Sequence, residues 1–469
     1  MTWHEADVAV LGAGPAGCVA ARQLGKAGLD VILVDAGAGM AGHQIESFPA
    51  SGAPLAEDIG LLSILCAVSD GPAAVMRMTW RDTPERRVFE GDGPLLLQRA
   101  ELHRALREEA ARHVCVLPSR VRKVSDSGHG AQVVTDAGTI RCRMAIDARG
   151  RHALKRPASD LVALPFRLRG DVPDHTMWLD ALPCGWLWAA SLTGDRVHGT
   201  LFQQSAALAG STARTRLGHA HDQLAGQVDF RGMTQLSVGS PVAAGLSVVT
   251  DPVLSARHVL IGDAALARDP IASHGLVHAM RSGVQAAIAV GTILDPAVDS
   301  EAAYAFLRHK HAEAATTAKQ ATAQAYREQS RFAGSIWAGF GASTESRAAP
   351  QVGNGPLTLA VPLSRAPVLD PHRVRWAPAI ELPLVQDFFT RQGGVTALDI
   401  AAACRPAATM QEIAARLGRV HPDRLVREVL QHLVTCGAFV QAVPAPSRSA
   451  RARLTSQPSS SETIRDSAC

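Results

Sequence analysis

The sequence predicts an α/β fold made of a Rossmann-like domain, an antiparallel sheet inserted into that domain, and a small C-terminal domain of winged-helix type. Three observations support this prediction. A glycine-rich turn lies between two apolar runs within residues 7–35. Alternating apolar runs broken by Pro and Gly fill residues 156–244, and residues 394–442 carry three helical patterns followed by a short apolar run.

The bulk composition favours a large folded protein and excludes several classes of function. The chain has 469 residues, 47% of them apolar, and its net charge of +4 gives no reason to expect nucleic acid or a membrane as a partner. Its eight cysteines lack the spacing of a disulfide framework or a zinc site, so we expect reduced thiols, no bound metal and a cytoplasmic protein. We recognise no signal peptide and no apolar run long enough to span a membrane.

Residues 7–35 predict a complete βαβ unit that binds a dinucleotide. An apolar run leads into "GAGPAG", in which Gly12, Gly14 and Gly17 have G-x-G-x-x-G spacing. A helical stretch then precedes a second apolar run that ends at Asp35. The glycines permit a tight turn and a close approach of the backbone to a pyrophosphate, which the helix N-terminus attracts. Asp35 is placed to accept hydrogen bonds from a ribose.

Later segments resemble those of flavoprotein hydroxylases and favour FAD over NAD. "RCRMAIDARGR" carries an apolar run that ends at Asp147, and "HVLIGDAALARDPIASHGL" places Gly262 and Asp263 at a strand end, where that family's acid binds the ribityl chain. Residues 95–111 predict a helix, and Arg99 matches an arginine before a helix that contacts FAD in this superfamily. The resemblance implies an FAD-binding domain of the aromatic hydroxylase type, with these cofactor-binding residues: Gly12, Gly14, Ala16, Gly17, Asp35, Arg99, Asp147, Gly262, Asp263, Gly275 and Leu276.

These segments set the predicted domain boundaries. The FAD-binding monooxygenase fold covers residues 1–340, with a long helix over 299–333 near its end. Within this fold, the cofactor part is predicted at 1–50, 95–155 and 245–300, and the substrate part at 51–94 and 156–244. After it we predict a linking or covering segment at 341–378, a winged-helix-like domain at 379–442 and a disordered tail at 443–469.

The C-terminal module predicts three short helices and a strand. Thr409 and Glu412 form a capping box for the second helix, and Pro422 is predicted at the first position of the third. Acidic and basic residues are nearly balanced over 379–442, so we do not expect DNA binding. The pattern resembles small winged-helix modules that bind leader peptides in peptide-modification systems; the alternative is a domain that only caps the fold.

The stretch "GWLWAASL" carries two tryptophans on one face of a predicted strand. It resembles the Trp-x-Trp-x-Ile-Pro motif of flavin-dependent halogenases, which screens the flavin from the substrate. Trp186 and Trp188 match that motif, but Ala190 and Ser191 stand where Ile and Pro are expected. We expect the two indoles to line the substrate cavity or screen the flavin; the alternative is that they are plain core.

The distribution of lysine argues against halogenation. Halogenases of this family need a lysine early in the substrate region that carries the activated halogen. This chain has no lysine between Lys26 and Lys123, and the only basic side chains in residues 51–95 are those of arginines. Because a guanidinium stays charged and is a poor nucleophile, the sequence favours oxygen transfer over halogen transfer.

A halogenase-like flavoprotein without the halogenation residues and with an added winged helix resembles the flavoprotein monooxygenases that build tryptophylquinone cofactors, above all the one that serves quinohemoprotein amine dehydrogenase. That resemblance implies hydroxylation of a tryptophan side chain within a small polypeptide, through a flavin C4a-hydroperoxide formed with O2. The electrons would come from NAD(P)H or from externally supplied reduced flavin. His274 and Asp269 are the predicted assisting groups, although His274 also fits a structural role at a helix start.

Three alternatives stay open from the sequence. The same FAD fold suits a small-molecule aromatic hydroxylase or a reductase of prenyl chains, and a tryptophan halogenase-like enzyme would share most of its motifs. A flavin-binding regulator that uses the winged helix on DNA is the third, and the balanced charge of that module argues against it.

Overall fold

A computed structural model of the chain describes residues 3–37, 44–153, 160–230, 232–333, 337, 353, 355–370, 372–385 and 387–442. The predicted disordered tail lies outside the described residues, as do residues 341–352, 354 and 371 of the predicted linking segment. The chain divides into two compact units, residues 1–344 with 367–376, and residues 345–366 with 377–469. The described α-helices are α1 (Pro15–Lys26), α2 (Ala53–Asp58), α3 (Leu62–Ala67), α4 (Arg99–Ala111), α5 (Ala213–Ala225), α6 (Gly275–Leu294), α7 (Glu301–Arg327), α8 (Ala397–Ala403), α9 (Met410–Leu417) and α10 (Asp423–Thr435).

The first unit contains the predicted parallel sheet. Five neighbouring strands run parallel, in the spatial order His258–Leu260, Gly138–Asp147, Trp3–Leu11, Val31–Asp35 and Cys115–Pro118. Antiparallel strands extend this sheet at Val121–Asp126, Ala131–Thr135 and Val253–Ser255. Helices α1, α4 and α6 pack on one face, and the strands over 121–135 cover the other. Burial on both faces explains why the central strands read as continuous apolar runs.

The inserted part forms a second, largely antiparallel sheet, as predicted. Its strands follow the order Thr234–Val238, Leu161–Arg169, Arg196–Gln204, Gly185–Ser191, Thr176–Leu182, Val75–Thr79 and Glu85–Val88, with Val242–Ala243 also paired to Leu161–Arg169. Val75–Thr79 is the exception, because it runs parallel to Thr176–Leu182. One face of this sheet packs against α5, and the other carries the tryptophans of "GWLWAASL". We call the latter the tryptophan face.

Two boundaries differ from the sequence prediction. Residues 95–98 are a strand and not the first turn of a helix, because Leu95–Gln98 pairs with both Ile45–Phe48 and Ser69–Pro72. Helix α4 therefore begins at Arg99 itself. The long helix predicted over 299–333 is α7, which ends earlier, at Arg327. A further small sheet pairs Ser247–Val248 with Leu266–Ala267.

The second unit has its own apolar core, built largely from α8, α9 and α10. Thr409 and Glu412 form the predicted capping box, whereas Pro422 precedes α10 as its N-cap residue. Strands Leu357–Leu359 and Phe439–Gln441 pair antiparallel. The remaining strands near or within this unit are Ser364–Asp370, Arg373–Leu382, Asp387–Phe389, Arg391–Gln392 and Val395–Thr396. Its assignment as a winged helix stays a prediction.

Candidate active site

The predicted cofactor residues of the first unit gather at one edge of the parallel sheet. Gly12 follows the strand Trp3–Leu11, and Asp35 and Asp147 end two neighbouring strands. Gly262 comes two residues after His258–Leu260. Because these strands are parallel and adjacent, their carboxyl ends lie side by side, where α/β sheets of this kind bind dinucleotides.

The glycines of "GAGPAG" have the three different environments that a dinucleotide turn requires. Gly12 has a φ of +107°, and a Cβ there would lie 2.7 Å from the carbonyl oxygen of Ala148. A Cβ at Gly17 would lie 1.9 Å from the carbonyl oxygen of Gly12. At Gly14, by contrast, an added Cβ would meet no described atom within 4 Å. The first and third positions therefore serve packing, and the middle one leaves the backbone at the start of α1 open to a phosphate.

Close packing also joins this turn to the later flavin motif. A Cβ at Gly262 would lie 2.7 Å from the Cβ of Ala16, and one at Gly283 would lie 2.6 Å from the carbonyl oxygen of Ala16. The Gly262 N–H donates to the Ser282 hydroxyl at 3.0 Å. Ala16 thus has a structural role here, as the contact between α1 and α6, in addition to its predicted place in the cofactor site.

Helix α4 presents a basic edge beside Asp35 that includes two residues sequence analysis missed. Arg99 donates to Gln44 at 2.9 Å and lies 3.3 Å from Glu46, while Arg107 forms a 2.9 Å ion pair with Asp35. Burial and the charge of Arg99 lower the pKa of His103 to about 4, so its ring is neutral at pH 7. The spacing of Arg99, His103 and Arg107, four residues apart on one helix face, was the signal available in the sequence.

Asp147 and Asp263 have different surroundings. Asp147 is fully buried, and its carboxylate accepts two hydrogen bonds from Arg149, at 2.9 and 2.6 Å. Burial raises the pKa of Asp147, but the interactions with His258, whose Nε2 lies 3.6 Å away, and with Arg149 outweigh it and hold the pKa below its usual value. Asp263 is more exposed and lies 3.9 Å from the Arg151 guanidinium. Direct contact of either carboxylate with a cofactor stays a prediction.

The start of α6 has the geometry expected beside a flavin ring. Ser273 adopts a left-handed φ of +48°, and His274 is the N-cap residue, with Nδ1 in hydrogen-bond contact with the Ala272 carbonyl oxygen. A Cβ added at Gly275 would meet no described atom within 4 Å, whereas Leu276 points into the core. The exposed helix N-terminus can stabilise negative charge. The role of His274 stays a prediction.

Trp186 and Trp188 share the tryptophan face, as their spacing predicts. Trp186 is only 1% exposed; its ring stacks on Phe202 with centroids 3.8 Å apart, and Trp80 packs edge-on at 6.3 Å. Trp188 is partly exposed and touches both apolar clusters of this face, including the one that contains Ile45. Trp186 therefore belongs to the core that supports the face, and Trp188 is the indole that reaches its surface.

A buried hydrogen-bond chain runs from Trp186 to Asp269, in the loop that precedes α6. The Trp186 indole N–H donates to Tyr326 at 3.1 Å, and the Tyr326 hydroxyl donates to Asp269 at 3.4 Å. Asp269 also accepts from the Ile271 N–H at 3.1 Å and is 4% exposed. Burial raises the pKa of Asp269 to about 6, against the lowering effect of these bonds and of Arg151. The chain brings predicted residues Trp186 and Asp269 together through Tyr326, which the sequence analysis did not identify.

Two of the four arginines in the early substrate region are engaged in ion pairs. Arg77 pairs with Asp229 at 2.7 Å, and Arg81 pairs with Glu328 at 3.1 Å. Arg77 is in register with Trp178, which packs on the side of the sheet facing α5, so Arg77 is not part of the tryptophan face.

Among the described residues, no helix combines the length and the apolar character needed to cross a membrane.

Comparison with known proteins identifies the fold. The family model described as lycopene cyclase protein matches residues 7–164, about a third of the chain. No curated protein sequence matches the chain. Among solved structures, the peptidyl tryptophan dihydroxylase QhpG, described as essential for tryptophylquinone cofactor biogenesis, is similar with a TM-score of 0.72 and 21% identity, over 92% of this chain and 99% of that one.

Two further solved structures are similar. The flavin-dependent halogenase CmlS has a TM-score of 0.75 at 18% identity, over 94% of this chain and 98% of that one. A probable FAD-dependent monooxygenase from Pseudomonas aeruginosa has a TM-score of 0.55 at 18% identity, over 72% of this chain and 99% of that one. The chain therefore has the fold of FAD-dependent monooxygenases and flavin-dependent halogenases, and the resemblance predicted from its motifs is confirmed at the level of the fold.

Proposed function

We propose that this chain is an FAD-dependent monooxygenase that hydroxylates the indole of a tryptophan side chain within a small polypeptide, as a step in the formation of a tryptophylquinone cofactor. Reduced FAD would supply the activated oxygen for transfer to an electron-rich aromatic carbon. The protein's own residues bind the cofactor, exclude water and hold the aromatic ring. Cysteines without the spacing of a disulfide framework favour a reducing compartment, such as the cytoplasm, for this reaction.

The observation that carries the FAD assignment is the convergence of the glycine turn and the late Gly-Asp loop at one sheet edge. Gly14 leaves open the space in which a pyrophosphate would meet the N-terminus of α1. Gly275 leaves similar space at the N-terminus of α6. Arg99 and Asp35 flank the same edge and would hold the adenosine half of the cofactor, while Asp263 would bind the ribityl chain.

The polar groups beside the tryptophan face have roles that do not require a metal or a covalent nucleophile. Asp269 can hold or release a proton near neutral pH, since its pKa is raised to about 6. Tyr326 fixes the direction of that carboxyl group and is itself held by Trp186. Trp188 would contact the substrate ring or screen it from the flavin.

Oxygen transfer fits the residues better than halogen transfer. The interval 51–94 has no lysine, and two of its arginines, Arg77 and Arg81, are occupied by carboxylates. The structural likeness to a halogenase keeps halogenation as the alternative. Incubation of the reduced holoenzyme with bromide, O2 and a tryptophan-bearing polypeptide should yield a mass gain of oxygen without bromine; a brominated product would reverse the assignment.

The substrate proposal has a direct test. The purified chain should carry FAD and, with a reductant and O2, add oxygen to tryptophan in a small polypeptide encoded near its gene, as read by mass spectrometry of the peptide. Turnover of free tryptophan or simple phenols with no change in any such polypeptide would instead favour a small-molecule aromatic hydroxylase. Anaerobic mixing with NADPH, followed through flavin absorbance, decides whether the chain accepts electrons directly or needs reduced flavin from a partner.

Docking of the polypeptide through the C-terminal domain is a separate part of the proposal. A chain without residues 379–469 should keep FAD and lose most modification of the polypeptide. If the shortened chain retains FAD and modifies the polypeptide at the full rate, the domain only caps the fold.

A further inference from the structure

His198 is a buried histidine whose ring is unsatisfied. It lies in the strand Arg196–Gln204, is 3% exposed, and neither ring nitrogen has a hydrogen-bond partner among the residues that the structure describes. Buried polar side chains in proteins nearly always have a partner, so an unpaired ring in this position calls for a ligand or a water molecule. The neighbouring strands show which ligand would reach it.

Strand register places His198 on the tryptophan face. Trp186, Trp188 and Ala190 alternate along one strand, and they stand opposite Phe202, Thr200 and His198 on the next. Residues directly opposite in an antiparallel pair point to the same side of the sheet. His198 is therefore the diagonal neighbour of Trp188, and Trp188 lies between two polar ends of this face, one at His198 and the other at the Trp186–Tyr326–Asp269 chain.

The surroundings of His198 keep its ring neutral. Arg167 is directly opposite on the other neighbouring strand, and Arg196 lies two residues earlier. Burial, and then the charges of these two arginines, lower the pKa of His198 to about 4, with a smaller opposing effect from Asp70. A neutral imidazole offers one acceptor nitrogen. The opposite arginine has no acceptor, and Asp269 already accepts bonds from Ile271 and Tyr326.

We propose that His198 accepts a hydrogen bond from the ring N–H of a bound indole, which makes that N–H a recognition element of the substrate. An indole has one polar hydrogen and otherwise apolar edges, so an aromatic face that carries the unpaired His198 ring suits it. The inference deepens the proposed function and rests on it. His198 would set the orientation of the ring between Trp188 and the flavin, and so which carbon receives the oxygen.

The test uses two probes of similar shape that differ in the ring heteroatom, which is N–H in one and sulfur, without a donor hydrogen, in the other. The FAD-bound protein is titrated with 3-methylindole and with 3-methylbenzothiophene, and binding is read from the change in flavin absorbance, which needs no turnover. The wild-type protein should bind 3-methylindole about tenfold more tightly, as expected for one added buried hydrogen bond. His198→Leu should bind both probes equally, while His198→Gln, which keeps an acceptor, should retain a preference for the indole.

Matched variants separate this role from a structural one. His219 lies on α5, against the other side of the sheet, where its ring bonds to Gln203 at 2.7 Å; His219→Leu should leave the preference unchanged. Thr200→Val removes the hydroxyl of the residue opposite Trp188, which is the other polar side chain beside that indole. The proposal is overturned if the wild-type protein binds the two probes equally. It is also overturned if the preference is lost in Thr200→Val but kept in His198→Leu. Either result would still show that an aromatic ring binds beside the flavin. If neither probe perturbs the flavin, the proposal for His198 fails, whereas the proposed function is decided separately, by the gain of oxygen on the polypeptide.

Discussion

Replacing Asp269 with asparagine should stabilise the first unit, and more so as the pH rises. The side chain is 4% exposed, and burial raises its pKa from the ordinary 3.8 to about 6. Asparagine keeps an oxygen that can accept from the Ile271 N–H and from Tyr326, but it carries no charge to bury. The rise in pKa corresponds to about 3 kcal/mol of differential interaction between the two protonation states.

The sign follows from linkage. A carboxyl group whose pKa is raised on folding binds its proton more tightly in the folded state, so its contribution to stability is full below the unfolded pKa and is lost as the pH rises through the folded one. Asp269→Asn does not suffer that loss. Its free energy of unfolding should match the wild-type value near about pH 4 and exceed it by up to about 3 kcal/mol above about pH 7.

Denaturant unfolding followed by tryptophan fluorescence is the appropriate assay. All seven tryptophans lie within residues 1–344 and 367–376, so the signal reports on the first unit alone. Asp222→Asn, at an exposed position on α5, is the matched control for the loss of a carboxylate and should leave the free energy of unfolding close to the wild-type value. An Asp269→Asn difference that stays constant between about pH 4 and about pH 8 would refute the burial argument.

Three other predictions follow from the site geometry. Gly14→Ala should fold normally and weaken FAD binding at least tenfold, about 1.4 kcal/mol, because its methyl group enters open space that the cofactor would fill. Gly17→Ala should fail to form a stable holoprotein, since its Cβ would lie 1.9 Å from a backbone oxygen. FAD absorbance after gel filtration, with circular dichroism for the fold, distinguishes the two variants. Tyr326→Phe should lower stability by about 1–3 kcal/mol, because the buried Trp186 N–H loses its acceptor, and this is measurable by the same fluorescence assay; an unchanged midpoint would mean that the bond is absent in solution. Arg77→Lys should produce no halogenation with bromide, since position 77 faces away from the tryptophan face and its cation pairs with Asp229; brominated tryptophan in the mass spectrum would contradict this placement.

The gathering of the candidate cofactor residues at one sheet edge could be predicted because they stand at short, fixed offsets from strand ends. The glycine turn and the Gly262-Asp263 pair are local patterns, and the parallel order of their strands brings them together without further information. The substrate half could not be predicted in the same way. Tyr326 meets partners 140 and 57 residues away, and the register that aligns His198 with Ala190 and Arg167 depends on strand pairing, which alternation alone does not determine.

Local propensity also gave way to pairing at one helix start. Leu95–Gln98 has residues compatible with a helix, yet it lies between two strands and hydrogen-bonds to them. The capping box at Thr409 could be predicted, in contrast, because both of its partners lie within one turn.

The contact of Ala16 with Gly262 and Gly283 has a mechanical consequence for catalysis. A methyl group at Gly283 of α6, or at Gly262 in the turn before that helix, would collide with Ala16 of α1, so α1 packs too closely here for free sliding. This packing favours a fixed distance between the N-termini of α1 and α6, one at the proposed phosphate end and the other beside the proposed flavin ring. A change in the position of a bound flavin ring would then come more easily from rotation about bonds in the cofactor than from a shift of these helices. The protein would then provide a fixed binding site, and the rotatable bonds would be those of FAD.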